Sequence, residues 1–546
     1  MILTIFGILV IFQIGSVVES HGTSGEIYSS LSHMKDLFIF NKKIGEILDF
    51  LPQHVPEVTR YKESYESFLQ DVEGLGKGDH LSTAITGNPI LLFSLIKRLV
   101  LHWPAIKSLV THSHYSDSNC TDAHDECETW AKWLECANNP EYMHTYCKVS
   151  CGLCRGSVVQ GQLANLLELE KRTVIPCEND LRGAALALAR LQEVYRLPIE
   201  EMVMGKIKNV QTSARLNTYD CIRIANESFY ESRYANSYLW YRQAAASAND
   251  PEQKSLIRLN LGQVIMEHDE KFQENVHYFF PVRLSVRNLQ YTWDSAFNQL
   301  CRGESLVDSA TLASLKCYVS ARGSPYLTLR PIKYEHLFFF LSHVISDEEI
   351  QAIKDTAASL LQRSLVQSSE SPVEYRVSHT AWLKDDSNPV LPKIVQRISA
   401  VTGLHTIQGP INDTAAEELQ VLSYGIGGHY YQHEDFFWKG DPEETWPSFS
   451  EKYEHYTSGD RMATWMFYLS DVEAGGRTAF PKAGVSVVPV KGSAVFWYNI
   501  KKNGIGNEMS EHGGCPVLLG HKWVANKWIR ENWNFQRRPC SLNPED

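Results

Sequence analysis

The sequence predicts a multidomain α+β chain: a helical N-terminal half, a short disulfide-rich module set within it, and a C-terminal antiparallel jelly roll. Three observations carry this reading. Apolar residues recur at three- and four-residue steps over residues 26–110 and again over 181–279. Six cysteines crowd between Cys120 and Cys154. Beyond His336, short runs rich in aromatic and β-branched residues alternate with Gly and Pro turns. A chain of 546 residues exceeds what one core supports, so several domains are expected. With 43% hydrophobic and 21% charged residues the composition is that of a globular protein, and a net charge of −12 argues against a nucleic-acid surface.

Residues 1–20 read as a secretory signal peptide. Ile2 to Val18 are almost wholly apolar, and Val18-Glu19-Ser20 offers a cleavage site, although a basic leader is missing. The run is marginal for a membrane anchor, and no other stretch approaches a span. Sequons at Asn119, Asn226 and Asn412, with the cysteine content, point to glycosylation in an oxidising lumen. The sequence closes on Asn543-Pro544-Glu545-Asp546 without a retention tetrapeptide, so residence in the endoplasmic reticulum would rest on a partner.

Residues 21–118 form a helical region. Leu37, Phe40, Ile44, Ile47, Leu48 and Leu51 make one apolar face, expected to pack within the chain or at a dimer seam. Residues 119–155 form the cysteine module, where staples replace a core too small to hold itself; a zinc site on Cys151 and Cys154 is the weaker rival. Residues 156–282 return to helix. The stretch from Asn217 to Pro251 has the length of a tetratricopeptide-like pair, with Leu256 to Phe279 as a further candidate. Tyr195, Tyr219, Tyr230, Tyr234, Tyr238 and Tyr241 make this region tyrosine-rich, which suits either a core or a groove for polyproline II peptide. Residues 283–335 link onward, with Cys301 and Cys317 expected to pair locally. Residues 336–537 carry the strand pattern (418–424, 463–469, 492–498 and 522–529), and 538–546 form a tail.

The cysteine module resembles the ShKT domain through Glu126-Cys127, Trp130-Ala131, Asn139-Pro140, Tyr142-Met143 and Ser150-Cys151-Gly152-x-Cys154. The resemblance implies the pairs Cys120–Cys154, Cys127–Cys147 and Cys136–Cys151. Channel-blocking members carry a lysine just before the tyrosine. Here Glu141 stands there, so docking or spacing is expected instead.

The chemistry lies near the C-terminus. His433, Asp435 and His512 supply two imidazoles and one carboxylate, which can cap one face of an octahedral ion and leave positions open. Residues i and i+2 of a strand point to one side, so His433 and Asp435 can reach one ion together. A helical pairing of His429 with His433 is disfavoured by Gly425, Gly427 and Gly428 just upstream. Lys522 adds a fixed cation suited to a dicarboxylate, a residue for which a zinc hydrolase would have no task. Lys527 has the opposite parity to Lys522, so only one of them is expected to face inward.

Around these residues stand Tyr424-Gly425-x-Gly427-Gly428, Arg461-x-Ala463-Thr464, Gly475-Gly476-x-Thr478-x-Phe480-Pro481 and Gly492-x-Ala494-x-Phe496-Trp497-Tyr498-Asn499. Cys515-Pro516-Val517 and Lys522-Trp523-Val524-x-Asn526-Lys527-Trp528 follow. Together they resemble the catalytic α subunits of collagen prolyl 4-hydroxylases over nearly the whole mature chain, the ShKT insert excepted. The resemblance implies Fe(II) on His433, Asp435 and His512, and 2-oxoglutarate against Lys522, Tyr424 and Thr478, with L-ascorbate as a further cofactor. A lysine at position 522 sets the site apart from the lysyl hydroxylases, which use arginine.

It also implies Glu417, Tyr430, Arg461 and Trp528 along the substrate path, Tyr230 and Tyr234 in a peptide groove, and disulfides Cys301–Cys317 and Cys515–Cys540, with Cys177 and Cys221 free or paired. The expected partners are protein disulfide isomerase as β subunit, procollagen-like proline-rich peptide, and a second α subunit in a heterotetramer. Expected activities are hydroxylation of collagen-like proline, hydroxylation of other proline-rich secreted proteins, or collagen binding without catalysis. In the groove the family's paired tyrosines appear as Tyr234-Ala235, and residues 436–460, with Trp438 and Trp446, make a longer loop than usual, suited to a lid or to altering substrate choice.

Overall fold

The computed structural model describes residues 30–49, 51, 56–74, 88–112, 121–133, 135–151, 157–275, 295–315, 318–320, 327–333, 338–364, 376–408, 415–437 and 458–543. The expected signal peptide, Cys120 and Cys154, the sequons at Asn119 and Asn412, Cys317, and most of the 436–460 loop lie outside them. No helix among the described residues is long and apolar enough to cross a membrane.

The helix Leu31–Leu48 starts on the Ser30 side chain, and its Leu37, Phe40, Ile44, Ile47 and Leu48 are buried as their spacing requires. That face packs within the chain, in one core with the helices Pro56–Gly74 and Pro89–Leu101 and with the helical region beyond residue 157. Gly45 lets the second helix close in: a Cβ there would lie 2.0 Å from the Tyr65 ring. Between these parts sits the cysteine module, holding Cys127–Cys147 and Cys136–Cys151 as disulfides. Its Asp122 carboxylate accepts from Val149 N at 2.8 Å and Ser150 N at 3.1 Å, closing the module on itself.

Helix Glu178–Tyr195 and the successive helices Thr218–Tyr230, Tyr234–Ser247 and Pro251–Asn275 build the second helical part. Its tyrosines divide by position. Tyr241 is buried, whereas Tyr219 and Tyr230 are 73% and 69% exposed, leaving aromatic surface for a ligand. Asn226 of the central sequon is half-buried, and its amide oxygen accepts the Tyr241 hydroxyl. Two short strands, β1 (Lys206–Ile207) and β2 (Val210–Gln211), form a hairpin beside these helices.

The remaining strands belong to the C-terminal domain. They are β3 (Tyr318–Ser320), β4 (Leu327–Lys333), β5 (Phe338–Ser342), β6 (Gln362–Arg363), β7 (Arg376–Val377), β8 (His379–Leu383), β9 (Leu419–Tyr424), β10 (His429–His433) and β11 (Arg461–Tyr468). Then follow β12 (Ala474–Gly475), β13 (Thr478–Phe480), β14 (Val485–Val487), β15 (Ala494–Tyr498), β16 (His512–Gly514), β17 (Val517–Leu519) and β18 (Lys522–Arg530). One antiparallel sheet runs β3-β4-β5-β15-β11-β18-β9-β8-β6, and a smaller one β14-β13-β16-β10-β7. Met466, Tyr468, Phe480, Val495, Trp497 and Val524 fill the space between them, the interior of a jelly roll. Helices Asp347–Ala358 and Leu391–Thr402 cover the other face of the larger sheet over Trp465, Phe467 and Ala525.

Two expected disulfides are corrected. Cys301 bonds Cys515, not Cys317, and Cys540 is an exposed free thiol, not the partner of Cys515. The helix Ala296–Arg302 lays Cys301 into an apolar cluster with Val194, Phe297, Leu300 and Ala479, where Cys515 already sits. A separation of 214 residues gives spacing nothing to rank, so the shorter pairing looked better. Cys177 and Cys221 stand outside the described disulfides, and burial pushes the Cys221 thiol up to about 12.

Candidate active site

β10 ends at His433, and Asp435 follows two residues past that end. The pair therefore spans a strand terminus and does not share one continuous strand. β16 begins at His512 and runs antiparallel to β10 with His512 opposite His433; the register slips between Tyr430 and His433. With that slip the Tyr430 ring stacks on His433 at a centroid distance of 3.7 Å. His433 Nε2 lies 3.7 Å from Asp435 Oδ1, and His512 Nε2 lies 3.8 Å from Asp435 Oδ2. Ligand atoms of all three fall within 4.8 Å of one another, the one such cluster among the described residues. His429 takes no part; its Nδ1 faces the Gly427 carbonyl at 3.2 Å.

The surroundings prepare this set to bind a cation. Nδ1 of His433 donates to the Tyr431 carbonyl (2.8 Å), and Nδ1 of His512 to the Ser510 carbonyl (2.9 Å). Each Nε2 is left with its lone pair facing Asp435. Burial, with His512 beside it, holds His433 down to about 3, so the ring stays neutral. Burial pushes the Asp435 carboxyl up, but the fields of His512, His433 and Arg461 and a bond from Thr464 prevail and hold it below the usual carboxylate range. Thr464 Oγ1 donates to Asp435 Oδ2 at 2.7 Å, and Asn499 Nδ2 donates to Thr464 Oγ1 at 2.8 Å. This relay fixes the carboxylate. Both residues stood in the sequence motifs, but nothing in their spacing announced the contact. The donor set, two neutral imidazoles and one carboxylate, fits a divalent transition metal with open positions.

Lys522 opens β18 opposite Tyr424 of β9. The residue is 3% exposed, and its ammonium lies 5.5 Å from the Tyr424 ring centroid and 5.9 Å from that of Tyr468. No carboxylate pairs with it among the described residues, and burial drives its pKa down to about 7. Lys527, on the opposite face, is also buried but pairs with Asp385 at 2.5 Å. The expectation that only one lysine faces inward is corrected: both faces of the larger sheet are covered, so both are buried, in different interiors, and Lys527 alone has a carboxylate partner among the described residues. Gly475 and Gly476, at φ +80° and +65°, carry the chain past Lys522, where a Cβ on Gly476 would come 3.5 Å from its Cδ. Thr478 of β13 stands opposite Gly514 of β16, and its Oγ1 accepts the Tyr468 hydroxyl at 2.8 Å. Its own proton is thereby free to point elsewhere.

A cavity of about 320 Å³ opens onto His433 and Asp435, walled by Tyr430, Trp382, Arg461 and Trp528. The Arg461 guanidinium carbon lies over the Trp528 ring, 3.8 Å from its centroid, and the group forks onto Glu417 at 2.7 and 2.8 Å. Arg530 reaches the same carboxylate at 3.0 Å. Burial raises Glu417, yet the two guanidiniums hold it below the usual range. Trp382 and Arg376 join this wall without having been singled out by the sequence. The exposed Tyr230 and the half-buried Tyr234 lie on the helical part, outside this cavity.

Residues 419–530 match the 2OG-Fe(II) oxygenase superfamily model, residues 119–154 the ShK domain-like model, and residues 155–209 the model for the prolyl 4-hydroxylase alpha-subunit N-terminal region. Prolyl 4-hydroxylase subunit alpha-3 of Mus musculus is 37% identical over 441 residues, 68% of this chain and 77% of the relative. Subunit alpha-1 of Gallus gallus is 29% identical over 576 residues, covering 95% and 99%. Subunit alpha-2 of Caenorhabditis elegans is 28% identical over 573 residues, covering 95% and 94%. A solved viral collagen prolyl hydroxylase from Paramecium Bursaria Chlorella virus-1, in its 2OG complex, is 25% identical with a TM-score of 0.27, covering 36% of this chain and 96% of that one. With its jelly roll, its His-Asp-His cluster and relatives matched along nearly its whole length, the chain belongs to the prolyl 4-hydroxylase α-subunit family.

Proposed function

We propose that the chain is the catalytic subunit of a collagen-type prolyl 4-hydroxylase, acting on X-Pro-Gly sequences with O2 and 2-oxoglutarate. The observation that carries this reading is the placement of an unpaired buried cation, Lys522, on the jelly-roll interior that also holds His433, Asp435 and His512. A resident Fe(II), held by those three residues, would supply the oxidising chemistry by which 2-oxoglutarate loses CO2 to give succinate and one oxygen enters proline C4.

The chain's own residues do the rest. The Lys522 ammonium fixes the far carboxylate of 2-oxoglutarate, and the Tyr424 and Thr478 hydroxyls donate to it. Asn499 and Thr464 keep Asp435 turned toward the histidines. The walls of Tyr430, Trp382 and Trp528 receive the proline ring and shed water from the reacting carbon. Glu417 stiffens Arg461, so that its donors meet the peptide backbone in one orientation.

The same reading assigns further features. The helices from Thr218 to Asn275 act as a tetratricopeptide-like peptide-binding domain, with Tyr230 and Tyr234 against a polyproline II chain. Protein disulfide isomerase serves as β subunit and holds the enzyme in the endoplasmic reticulum lumen. Ascorbate supports turnover, and α subunits pair within a heterotetramer. The test is 2-oxoglutarate decarboxylation by the chain co-expressed with protein disulfide isomerase, given Fe(II) and ascorbate, with and without (Pro-Pro-Gly)-type peptide. Peptide-dependent succinate with 4-hydroxyproline located by mass spectrometry is the expected result. A folded, iron-loaded complex that turns over no proline-rich peptide would reduce the chain to a binding subunit. Turnover confined to non-collagen peptides would move the substrate class.

A further inference from the structure

A second cavity is lined by residues of the helical half alone. It measures about 920 Å³ and opens between the helices Pro56–Gly74 and Pro89–Leu101 on one side and residues 213–227 on the other. Its walls carry an excess of positive charge that the chain does not neutralise. The carboxylates present are already engaged. Asp71 accepts from Ser213 N at 2.6 Å and from its hydroxyl at 2.8 Å, Asp220 pairs with Lys97 at 2.7 Å, and Glu227 pairs with Arg182 at 2.9 Å. Arg223 is bound to Glu178.

Three guanidiniums on the same walls, Arg60, Arg98 and Arg215, have no carboxylate partner among the described residues. Arg215 donates only to the Thr212 and Ala214 carbonyls, at 2.6 and 3.1 Å. Arg98 is 1% exposed. It uses Nε on Asn41 Oδ1 (3.1 Å) and Nη1 on Ser64 (3.0 and 2.9 Å), while Nη2 is buried with no hydrogen-bond acceptor. An arginine charge buried without an anion is costly, and burial depresses its pKa. His102, on the same wall, is held down by burial and by Lys97, Arg98 and Arg60 together, a second sign of net positive field.

We propose that this cavity docks an anionic peptide segment, one whose Asp or Glu side chains pair with Arg60 and Arg215 on its walls and reach the remaining donor of Arg98, Nη2. Charge complementarity names the occupant, and the lining suits a peptide better than a lone ion. Phe68, Leu91 and Ile222 offer apolar contact between the guanidiniums, and the space far exceeds one carboxylate. Tyr219, 73% exposed, stands on the rim, so a docked segment would leave toward the tyrosine-bearing helices. The inference does not depend on the catalytic reading, since no residue of the metal cluster lines the cavity.

The experiment is fluorescence anisotropy on the full chain. Its probe is a labelled peptide of alternating Glu and Gly; the Gln-for-Glu peptide is the control and inorganic phosphate the competitor. The Glu peptide is expected to bind in a salt-sensitive manner and the Gln peptide to bind far more weakly. Arg60→Gln with Arg215→Gln, both exposed and outside the core, should weaken the Glu peptide by about tenfold or more. Arg98→Lys should weaken it while keeping the charge; if that variant does not fold, the exposed pair still decides. Equal binding of Gln and Glu peptides, or an unchanged double variant, would overturn the proposal. Displacement by phosphate at concentrations equal to the peptide would overturn the peptide class in favour of a small-anion site.

Discussion

Lys522 shows how much a single residue determines. Its ammonium is buried without a partner, so the field that suits a carboxylate is built before any ligand arrives. Removing it by Lys522→Ala should cost about 2–5 kcal/mol of 2-oxoglutarate binding and leave the iron requirement nearly unchanged. Equal loss of both, measured by titrating each in turnover assays, would assign Lys522 a structural role. The depressed pKa adds a pH dependence whose sign follows from linkage. A bound dicarboxylate favours the ammonium and raises its pKa above the free value of about 7. Affinity is therefore full below pH 7 and falls, by up to about tenfold per unit, as pH rises above it toward the bound-state pKa. Calorimetric titration of the co-substrate across that range checks the slope. Thr464→Val removes the bond that orients Asp435 and should raise the iron requirement about 10- to 100-fold, read by direct Fe(II) titration. At this scale the clustering of His433, Asp435 and His512 and the burial of Lys522 were legible, because residue type and spacing state their chemistry. Thr464 and Asn499 were not, because an ordinary strand polar residue gives no sign of what it faces.

Elements were legible where period and turn chemistry agree. The strands read at 418–424, 463–469, 492–498 and 522–529 appear as Leu419–Tyr424, Arg461–Tyr468, Ala494–Tyr498 and Lys522–Arg530, shifted by at most two residues. The buried face from Leu37 to Leu51 also followed its spacing. Two features escaped. The slip in β10 is a local irregularity that period-two reasoning cannot contain, and it places Tyr430 against His433. The Cys301–Cys515 bond joins the helix Ala296–Arg302 to the turn after β16, three residues beyond His512. It ties this helix to the strand that bears His512 of the candidate metal cluster. Cys301→Ser should lower stability by about 2–5 kcal/mol in denaturant unfolding and leave Cys515 reactive to thiol reagents. Non-reducing peptide mapping of the wild type should recover residues 301 and 515 in one cross-linked fragment; fragments joining 515 to 540 would contradict the structure.

The whole molecule adds what neither residue nor element predicts: the helical part grips the jelly roll beside its active site. The Tyr195 hydroxyl donates to the Pro516 carbonyl, Arg190 reaches the Gly427 carbonyl at 3.4 Å, and Arg233 donates to the Tyr431 hydroxyl. These contacts join residues 321, 237 and 198 positions apart, distances over which sequence periodicity carries no information. Two of the targets, Gly427 and Tyr431, lie on the loop-and-strand segment that leads into His433, and Pro516 lies in the turn after β16. Arg233 is the most telling of them, because it is also held by Glu193 at 2.7 Å and sits one residue before Tyr234. It thus bridges the tyrosine-bearing helices and the strand that carries His433 of the candidate metal cluster. Arg233→Ala removes one part-buried ion pair and one hydrogen bond, about 1–3 kcal/mol of domain contact. If peptide docking on the helices is transmitted to the reacting proline through a fixed domain arrangement, this change should raise KM for long (Pro-Pro-Gly)-type substrates several-fold. Turnover of a peptide too short to reach the helices, and the Fe(II) requirement, should hold steady. Equal losses on long and short peptides would mean instead that Arg233 merely supports Tyr431 and the β10 strand.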